Sequence, residues 1–239
     1  MEPSFVTPAV PARPRSVGSL VGDSLRRPGG RRALSVLSIV LFLAGVAMFA
    51  YPVGTDLYSK YQQGNLSSQF GSQKLRDEYR TRSIPIGQAL TRLIINTKDV
   101  KVDVLVVEGT TPAALRAGAG HYPGTPLPGE SGNVGIAGHR TTFGRPFNHI
   151  DELKVGDEVI LETPFSKFHY KVIPGWGTGG HAYKIVDPSD FSVVQSVPGK
   201  SYLTLTSCHP KGSAKKRITV RLELQPKETE TIKQKGATS

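Results

Sequence analysis

The stretch YLTLTSC at residues 202–208 decides the fold, together with RITVRLEL at residues 217–224. In both, apolar residues alternate with polar ones, which is the pattern of a β-strand with one buried face. Further segments of this kind lie at residues 100–106, 154–162 and 167–173. Short strands separated by Gly and Pro, without a long amphipathic helix, predict an all-β body over residues 84–226, either a closed barrel or a sandwich.

Composition agrees with a folded β body and limits the chemistry. The chain has 239 residues, of which 38% are hydrophobic, 26 are Gly and 18 are Pro. This apolar content is too high for a wholly disordered chain, and the turn-rich composition is typical of β proteins. The single cysteine excludes an internal disulfide and a multi-cysteine zinc site within one chain.

An apolar segment precedes this body. Residues 33–55, ALSVLSIVLFLAGVAMFAYPVGT, contain no Asp, Glu, Lys, Arg or His. About 20 apolar residues in a helix span a bilayer core, so residues 33–53 predict a transmembrane anchor. A buried core helix is an alternative, although core helices usually carry a polar face. A cleaved signal peptide is another, but its apolar region is shorter and YPVGT is a poor cleavage site.

Flanking charge predicts the orientation of the anchor. Six arginines precede the apolar segment: Arg13, Arg15, Arg26, Arg27, Arg31 and Arg32. The positive-inside rule therefore places the N-terminus in the cytoplasm and the body outside a single-pass cell-membrane anchor. Residues 1–32 are interpreted as a disordered basic tail that meets anionic lipid, residues 54–83 as a polar, partly helical stalk, and residues 227–239 as a polar tail. Nucleic acid is not expected as a partner, despite the net charge of +11.

Cys208 is the candidate nucleophile, because a free thiol is a liability in an exported domain. The alternative is a small buried apolar residue. Leu203 and Leu205 share one face of their strand, so Cys208 lies on the other face. By the same reasoning His139, which follows NVGIAG, and Arg217, which opens RITVRLEL, lie on non-core faces at strand ends. The three side chains are predicted to converge.

This set of residues is suited to thiol chemistry. An unperturbed thiol has a pKa of about 8.5, so only a few per cent is thiolate at neutral pH. A histidine can carry the proton, and an arginine can stabilise a thiolate or a developing oxyanion. The order His, Cys, Arg differs from papain-like enzymes, in which the cysteine comes first.

Three segments resemble the sortase family over about residues 90–225. TLTSCHPKGSAKKR at residues 204–217 is similar to the sortase signature T-L-x-T-C with its following arginine. GNVGIAGHRTTFGRPFNHIDELKVGDEVILE is similar to the segment around the sortase histidine, and HYPGTPLPGESGNVGIAGH extends that match upstream. The His-Pro after the cysteine most resembles class E sortases of actinobacteria. Ser207 departs from the signature, which has Thr there; the hydroxyl is kept and the methyl is lost.

The resemblance implies a fold and an activity. The fold would be an eight-stranded sortase-type β-barrel with short helices, preceded by one transmembrane helix. The activity would be a cysteine transpeptidase that cleaves L-A-x-T-G or L-P-x-T-G sorting motifs of secreted proteins between Thr and Gly. Cys208 would form the thioacyl-enzyme, His139 would act as general acid and base, and Arg217 would bind the substrate carbonyl.

The resemblance also implies the partners and the substrate pocket. Tyr122, Thr206 and Ser207 are the candidate substrate-binding residues. The acceptor would be an amine of a lipid-linked peptidoglycan precursor. This chemistry requires no cofactor and no metal.

The sequence leaves two other interpretations open. L,D-transpeptidases also use a cysteine in the cell wall, but they have S-H-G-C, whereas Thr206-Ser207 precede Cys208 here. A non-catalytic wall-binding domain with the same barrel is the other interpretation, and loss of Cys208, His139 or Arg217 would have supported it.

Overall fold

The computed structural model describes residues 28–232. Most of the predicted basic tail, residues 1–27, and the end of the predicted polar tail, residues 233–239, lie outside the described residues.

Helix α1, Pro28–Phe70, contains the predicted membrane segment. It begins before residue 33 and continues through Phe70, so the start of the predicted stalk is helical. An 18-residue window of this helix has a mean hydropathy of 2.5 and no buried residue, so the helix is long and apolar enough to cross a membrane. Thr55, Ser59 and Leu66, which follow that window, are buried. They recur at helical spacing, so the C-terminal half of α1 has a single packed face.

Two shorter helices follow. Helix α2, Gln73–Thr81, begins at Ser72, whose side chain accepts a hydrogen bond from the Leu75 N–H. Helix α3, Pro112–Ala117, begins in the same way, with Thr111 capping the N–H of Ala114. Such caps satisfy backbone donors that have no partner inside the helix. Helix α3 lies between the second and third strands and carries Arg116 in its last turn.

The strands form one sheet in the stretch of chain that the structure describes. In chain order they are β1 Ala89–Asn96, β2 Lys101–Glu108, β3 Ala119–His121, β4 Gly132–Ala137, β5 Glu158–Glu162, β6 Ser166–Val172, β7 Tyr183–Val186, β8 Ser201–His209, β9 Lys216–Leu224 and β10 Glu230–Thr231. Short 3-10 turns occur at Ile150–Glu152, Phe191–Val194 and Pro226–Glu228.

Eight of these strands close into the predicted barrel. Their order is β6-β5-β1-β2-β3-β4-β8-β9, and β9 pairs with β6 to complete the ring. The remaining strands, β7 and β10, pair with the outer edges of β9 and β6. The first half of β9 pairs with β7 and its last three residues pair with β6, so β9 divides one edge between two partners.

The core occupies the inside of the barrel. Leu203 and Leu205 of β8 are fully buried there, opposite Leu222 and Val220 of β9. Full burial of one such side chain stabilises the folded state by about 1.5–3 kcal/mol. The alternation predicted from the sequence therefore separates an inward, apolar face of β8 from an outward, polar face.

The register of three strands positions the candidate site. Strands β4 and β8 run parallel, with Ala137 beside Thr206. Strands β8 and β9 run antiparallel, with Cys208 beside Arg217. The ends of β4 and β8 and the start of β9 therefore lie at the same edge of the barrel.

Candidate active site

Cys208 and Arg217 are direct neighbours across two strands. They form a paired position of the β8–β9 ladder, one step beyond Ser207 and Ile218. Side chains at paired antiparallel positions leave the same face of the sheet, with Cβ atoms about 4.5–5.5 Å apart. Because Ile218 is fully buried in the core, Cys208 and Arg217 emerge on the outer face. Both side chains are half-buried.

His139 follows the end of β4 at the level of Cys208. The N–H of Gly138 donates to the carbonyl of Thr206 at 3.0 Å, which continues the parallel pairing past the last residue of β4. Ser207 Oγ donates to the Gly138 carbonyl at 2.7 Å. These two bonds bring the chain at His139 alongside the chain at Cys208. The structure thus gathers the three predicted residues at one edge, away from the Leu203–Leu205 face.

The surroundings of His139 favour its neutral form. The imidazole is half-buried and lies against the Phe143 ring, with 5.1 Å between the ring centroids. Burial lowers the pKa of His139 below its ordinary value, and the Arg116 guanidinium lowers it further. A neutral imidazole can accept a proton at neutral pH, so His139 is suited to act as a general base.

Arg217 is held on one side of its guanidinium. Nη1 donates to the carbonyls of Ala214 and Lys216, at 2.9 and 3.0 Å. Within residues 28–232, Nε and Nη2 of Arg217 have no hydrogen-bond partner. The loop between β8 and β9 therefore orients the guanidinium and leaves two of its nitrogens for a ligand oxygen.

Sequence reasoning missed Arg140, a buried residue that links the segment after His139 to the backbone of Cys208. The side chain is 2% exposed. Its Nη2 pairs with Asp151 at 2.8 Å, its Nε donates to the Asn148 carbonyl at 2.8 Å, and its Nη1 donates to the Cys208 carbonyl at 3.4 Å. A buried guanidinium needs such partners. The available signal was a basic residue next to His139 in the inward phase of its strand.

The predicted substrate residues Tyr122 and Thr206 lie on the outer face. The Tyr122 hydroxyl and Thr206 Oγ1 are 3.0 Å apart. Gly135 of β4 lies beneath the Tyr122 ring: an added Cβ would be 2.9 Å from Tyr122 Cδ2. Glycine is therefore required at residue 135 for the ring to pack against the sheet.

The structure does not bring Ser207 to this surface. The residue is 3% exposed, and its hydroxyl already donates a hydrogen bond to the Gly138 carbonyl. Because side chains alternate along β8, Ser207 points inward and does not reach a substrate on the outer face. Its hydrogen bond instead holds the neighbouring backbone in position. It links the residue before His139 to the residue before Cys208.

Trp176 borders the same face and was also missed. Its Nε1 is 3.3 Å from both the carbonyl and Oγ1 of Thr219. The Arg221 guanidinium carbon lies 3.6 Å from the centre of the Trp176 ring, a cation–π contact. Burial lowers the pKa of Arg221. The glycine-rich segment 175–180, which contains Trp176, is a loop of turns and bends.

Two other groups of titratable residues lie elsewhere. A cavity of about 770 Å³ is lined by Glu108 and His121, but these are paired with each other at 2.7 Å. Glu158, His169 and Glu228 have potential metal-ligand atoms within 4.8 Å of one another. His169 Nδ1 is bonded to Glu158 at 3.0 Å, and Lys171 pairs with Glu228 at 2.7 Å. Each of these carboxylates and histidines has an ion-pair partner among the described residues, although the buried His169 Nε2 has no hydrogen-bond partner, so we place the candidate site at Cys208.

A Sortase domain model matches residues 95–225. Among curated proteins, Sortase SrtE1 of Streptomyces coelicolor is 29% identical over 213 residues. The match covers 82% of this chain and 58% of SrtE1, so the chain spans less than two thirds of that relative's length.

Solved structures agree with this match. A Clostridium perfringens Sortase D5 transpeptidase superposes with a TM-score of 0.57 at 27% identity, covering 70% of this chain and 98% of that one. Sortase E1 from Streptomyces coelicolor, solved with a tripeptide in its active site, superposes with a TM-score of 0.52 at 32% identity, covering 61% and 91%. The predicted resemblance is confirmed: the chain belongs to the sortase family, whose members are cysteine transpeptidases.

Proposed function

We propose that this protein is a membrane-anchored transpeptidase that cleaves a C-terminal sorting motif, L-A-x-T-G or L-P-x-T-G, between Thr and Gly. It then transfers the new carboxyl end to an amine of a lipid-linked peptidoglycan precursor. The pairing of Cys208 with Arg217, beside the end of β4 that carries His139, is the observation that carries the proposal. The tripeptide in the active site of the Streptomyces coelicolor sortase E1 structure supports a peptide ligand.

The first half-reaction uses all three residues. Cys208 Sγ forms a bond to the Thr carbonyl carbon while His139 takes up the thiol proton. The carbonyl oxygen becomes an oxyanion, and the free nitrogens of Arg217 donate hydrogen bonds to it. His139 then gives its proton to the Gly nitrogen as the Thr–Gly bond breaks. The products are a thioester on Cys208 and a free amine that carries Gly at its end.

The second half-reaction reverses these roles. His139 removes a proton from the acceptor amine as its nitrogen attacks the thioester carbon. Arg217 again stabilises the oxyanion, and the Cys208 thiolate leaves and regains the proton from His139. One peptide bond is broken and one is formed, so no oxidant, cofactor or metal enters the balance.

Electrostatics support this division of labour. Arg217 remains protonated at any working pH, so it cannot act as the acid or the base. The lowered pKa of His139 keeps it available to accept the thiol proton at neutral pH.

The substrate surface is the outer face of β4, β8 and β9. The Tyr122–Thr206 contact lies on this face, and Gly135 permits it. We propose that Tyr122 contacts the second residue of the motif and thereby sets the preference between Ala and Pro.

The full chain in detergent tests the proposed reaction. Fluorogenic peptides containing L-A-x-T-G or L-P-x-T-G should be cleaved, and a peptide with the same residues in scrambled order should not. Mass spectrometry should find the acyl group on Cys208. Cleavage of neither motif peptide, with no acyl-enzyme, would contradict the proposal.

A separate experiment tests the anchor. Helix α1 is long and apolar enough to span a bilayer, and the arginines before it predict a cytoplasmic N-terminus. Protease added to intact, wall-stripped cells should remove the catalytic domain. Protection of the domain until the cells are lysed would contradict the proposed orientation.

A further inference from the structure

A short segment beside His139 has a strained backbone. Phe143, Gly144 and Arg145 have φ angles of 52°, 75° and 49°, so three consecutive residues are left-handed. This conformation costs a non-glycine residue about 1–2 kcal/mol. Such strain persists only where surrounding contacts hold the backbone. Residues 143–145 must therefore be held by contacts from other segments of the chain.

The holding contacts come from the stretch of α1 that follows the apolar segment. Asp56 Oδ1 accepts a hydrogen bond from the Gly144 N–H at 3.0 Å. Asp56 Oδ2 pairs with Arg145 Nη2 at 2.9 Å. Ser59, one turn further along α1, is 4% exposed, and a Cβ at Gly144 would lie 2.9 Å from its Oγ. One carboxylate thus binds two of the three left-handed residues.

The third strained residue connects α1 to the imidazole. The Phe143 ring meets Tyr58 of α1 edge-on, with 6.3 Å between centroids, and it also lies against His139 at 5.1 Å. The Arg116 guanidinium carbon lies 5.9 Å from the Phe143 ring centre. Phe143 therefore packs between α1, α3 and His139.

We propose that Asp56 is a positioning residue for His139. By holding residues 143–145, its carboxylate fixes the Phe143 ring against the imidazole and so sets the place of His139 beside Cys208. The proposal rests on the assigned role of His139. It makes the helical stretch after the membrane segment a support of the active site.

The titration of His139 tests this directly in the full-length protein in detergent. Histidine side chains are labelled with ¹³C, and the signal missing from His139→Gln identifies His139. We expect Asp56→Ala to raise the midpoint of the His139 titration toward the ordinary pKa of histidine, because a displaced Phe143 ring leaves the imidazole more hydrated. Asp56→Asn keeps an oxygen for the Gly144 N–H and should raise it less.

The sign of the shift separates positioning from simple electrostatics. Of the charged groups near this segment, Arg116 from α3 lowers the pKa of His139, and Asp56 and Arg145 pair with each other. Cys208 lies in the neighbouring strand β8. Removing a carboxylate without moving Phe143 would disfavour the imidazolium and lower the midpoint. An unchanged or lowered midpoint in a folded Asp56→Ala protein would overturn the proposal.

Two further variants keep the test decisive. Asp103→Ala is the matched control, because Asp103 also uses both of its carboxylate oxygens, here to bind Arg92 across β1 and β2 with both bonds at 2.6 Å. It should leave the His139 midpoint unchanged. Phe143→Ala exposes the imidazole while it leaves the Asp56 side chain in place, and it should raise the midpoint of the His139 titration even if Asp56→Ala does not fold. No shift in Phe143→Ala would also overturn the proposal.

Kinetics supply a second readout. Asp56→Ala should lower kcat for peptide cleavage about ten- to a hundredfold with little change in KM, the effect of a misplaced catalytic group. A change in KM alone would overturn the proposal. The titration needs no substrate, so it decides the positioning role even if the wild-type protein cleaves no sorting peptide. That latter result would contradict the proposed function instead.

Discussion

The two faces of β8 differ in what they contribute. On the inward face, Leu203 and Leu205 are fully buried among the core residues of β4 and β9. On the outward face, Thr206 contacts Tyr122, and Cys208 lies beside Arg217. Along one strand, the inward residues thus pack in the core and the outward residues line the candidate site. The difference teaches that a rigid barrel can carry a partly exposed thiol without placing it in the core.

The sharpest test of this separation is Cys208→Ala. We expect complete loss of peptide cleavage and transfer, because no nucleophile remains to form the thioester. The midpoint of thermal unfolding should change little, since the half-buried side chain loses only its sulfur. Cleavage by Cys208→Ala at the wild-type rate would show that the nucleophile is another residue.

Arg217→Lys tests the same face on the neighbouring strand. A lysine keeps the charge but cannot reproduce the planar fork that the loop carbonyls hold. We expect kcat to fall about a hundred- to a thousandfold, the typical cost of losing an oxyanion donor. The limbs of the pH–rate profile should stay in place. Near-full activity would reduce Arg217 to a structural residue.

Leu205→Ala tests the inward face. Removal of a fully buried leucine should lower the free energy of unfolding by about 2–5 kcal/mol. Urea unfolding measures this change. At temperatures well below the transition, kcat should stay close to that of the wild type. A large loss of kcat in a folded protein would show that the two faces are coupled.

Ser207→Ala is expected to affect both stability and activity, because Ser207 points inward but adjoins the candidate site. The change leaves the Gly138 carbonyl without its side-chain donor, at a cost of about 1–3 kcal/mol in unfolding free energy. Because Gly138 precedes His139, kcat should also fall. Ser207→Thr, which keeps the hydroxyl, is the control and should retain more activity. An unchanged kcat in Ser207→Ala would show that Ser207 contributes only to stability.

The smallest effect concerns pH. His139 has a lowered pKa in the folded state, so the unfolded chain binds a proton first as the pH falls through about 6.5. This histidine should therefore reduce stability progressively on acidification below that value. Urea unfolding of the wild type and of His139→Gln at about pH 7.5 and about pH 5.5 measures it. An equal pH dependence in both proteins would contradict the expectation.

Local pattern was enough to predict much of the barrel. The alternation in YLTLTSC and RITVRLEL predicts both strands and their buried faces, because side chains of a strand alternate regardless of its partners. The same alternation places Cys208 and Arg217 on outward faces. Their direct pairing depends on the β8–β9 register, which is a non-local property.

Contacts between distant segments could not be predicted in this way. Asp56 is separated by 88 residues from Gly144, whose N–H donates to it, and nothing in the sequence around either residue signals the contact. Arg140 appeared only as a charged residue after His139, and its link to the Cys208 carbonyl spans 68 residues. Such contacts arise when the barrel closes, so they depend on the whole fold.

By itself, the sequence determined the strands that carry Cys208 and Arg217, the apolar helix and the three residues suited to thiol chemistry, since each follows from residue type and local periodicity. The tertiary structure alone decided that β4 lies parallel to β8, that Ser207 turns inward, and that α1 reaches the segment beside His139. The physical reason is that packing selects among registers and helix positions which local propensities leave nearly equal in free energy.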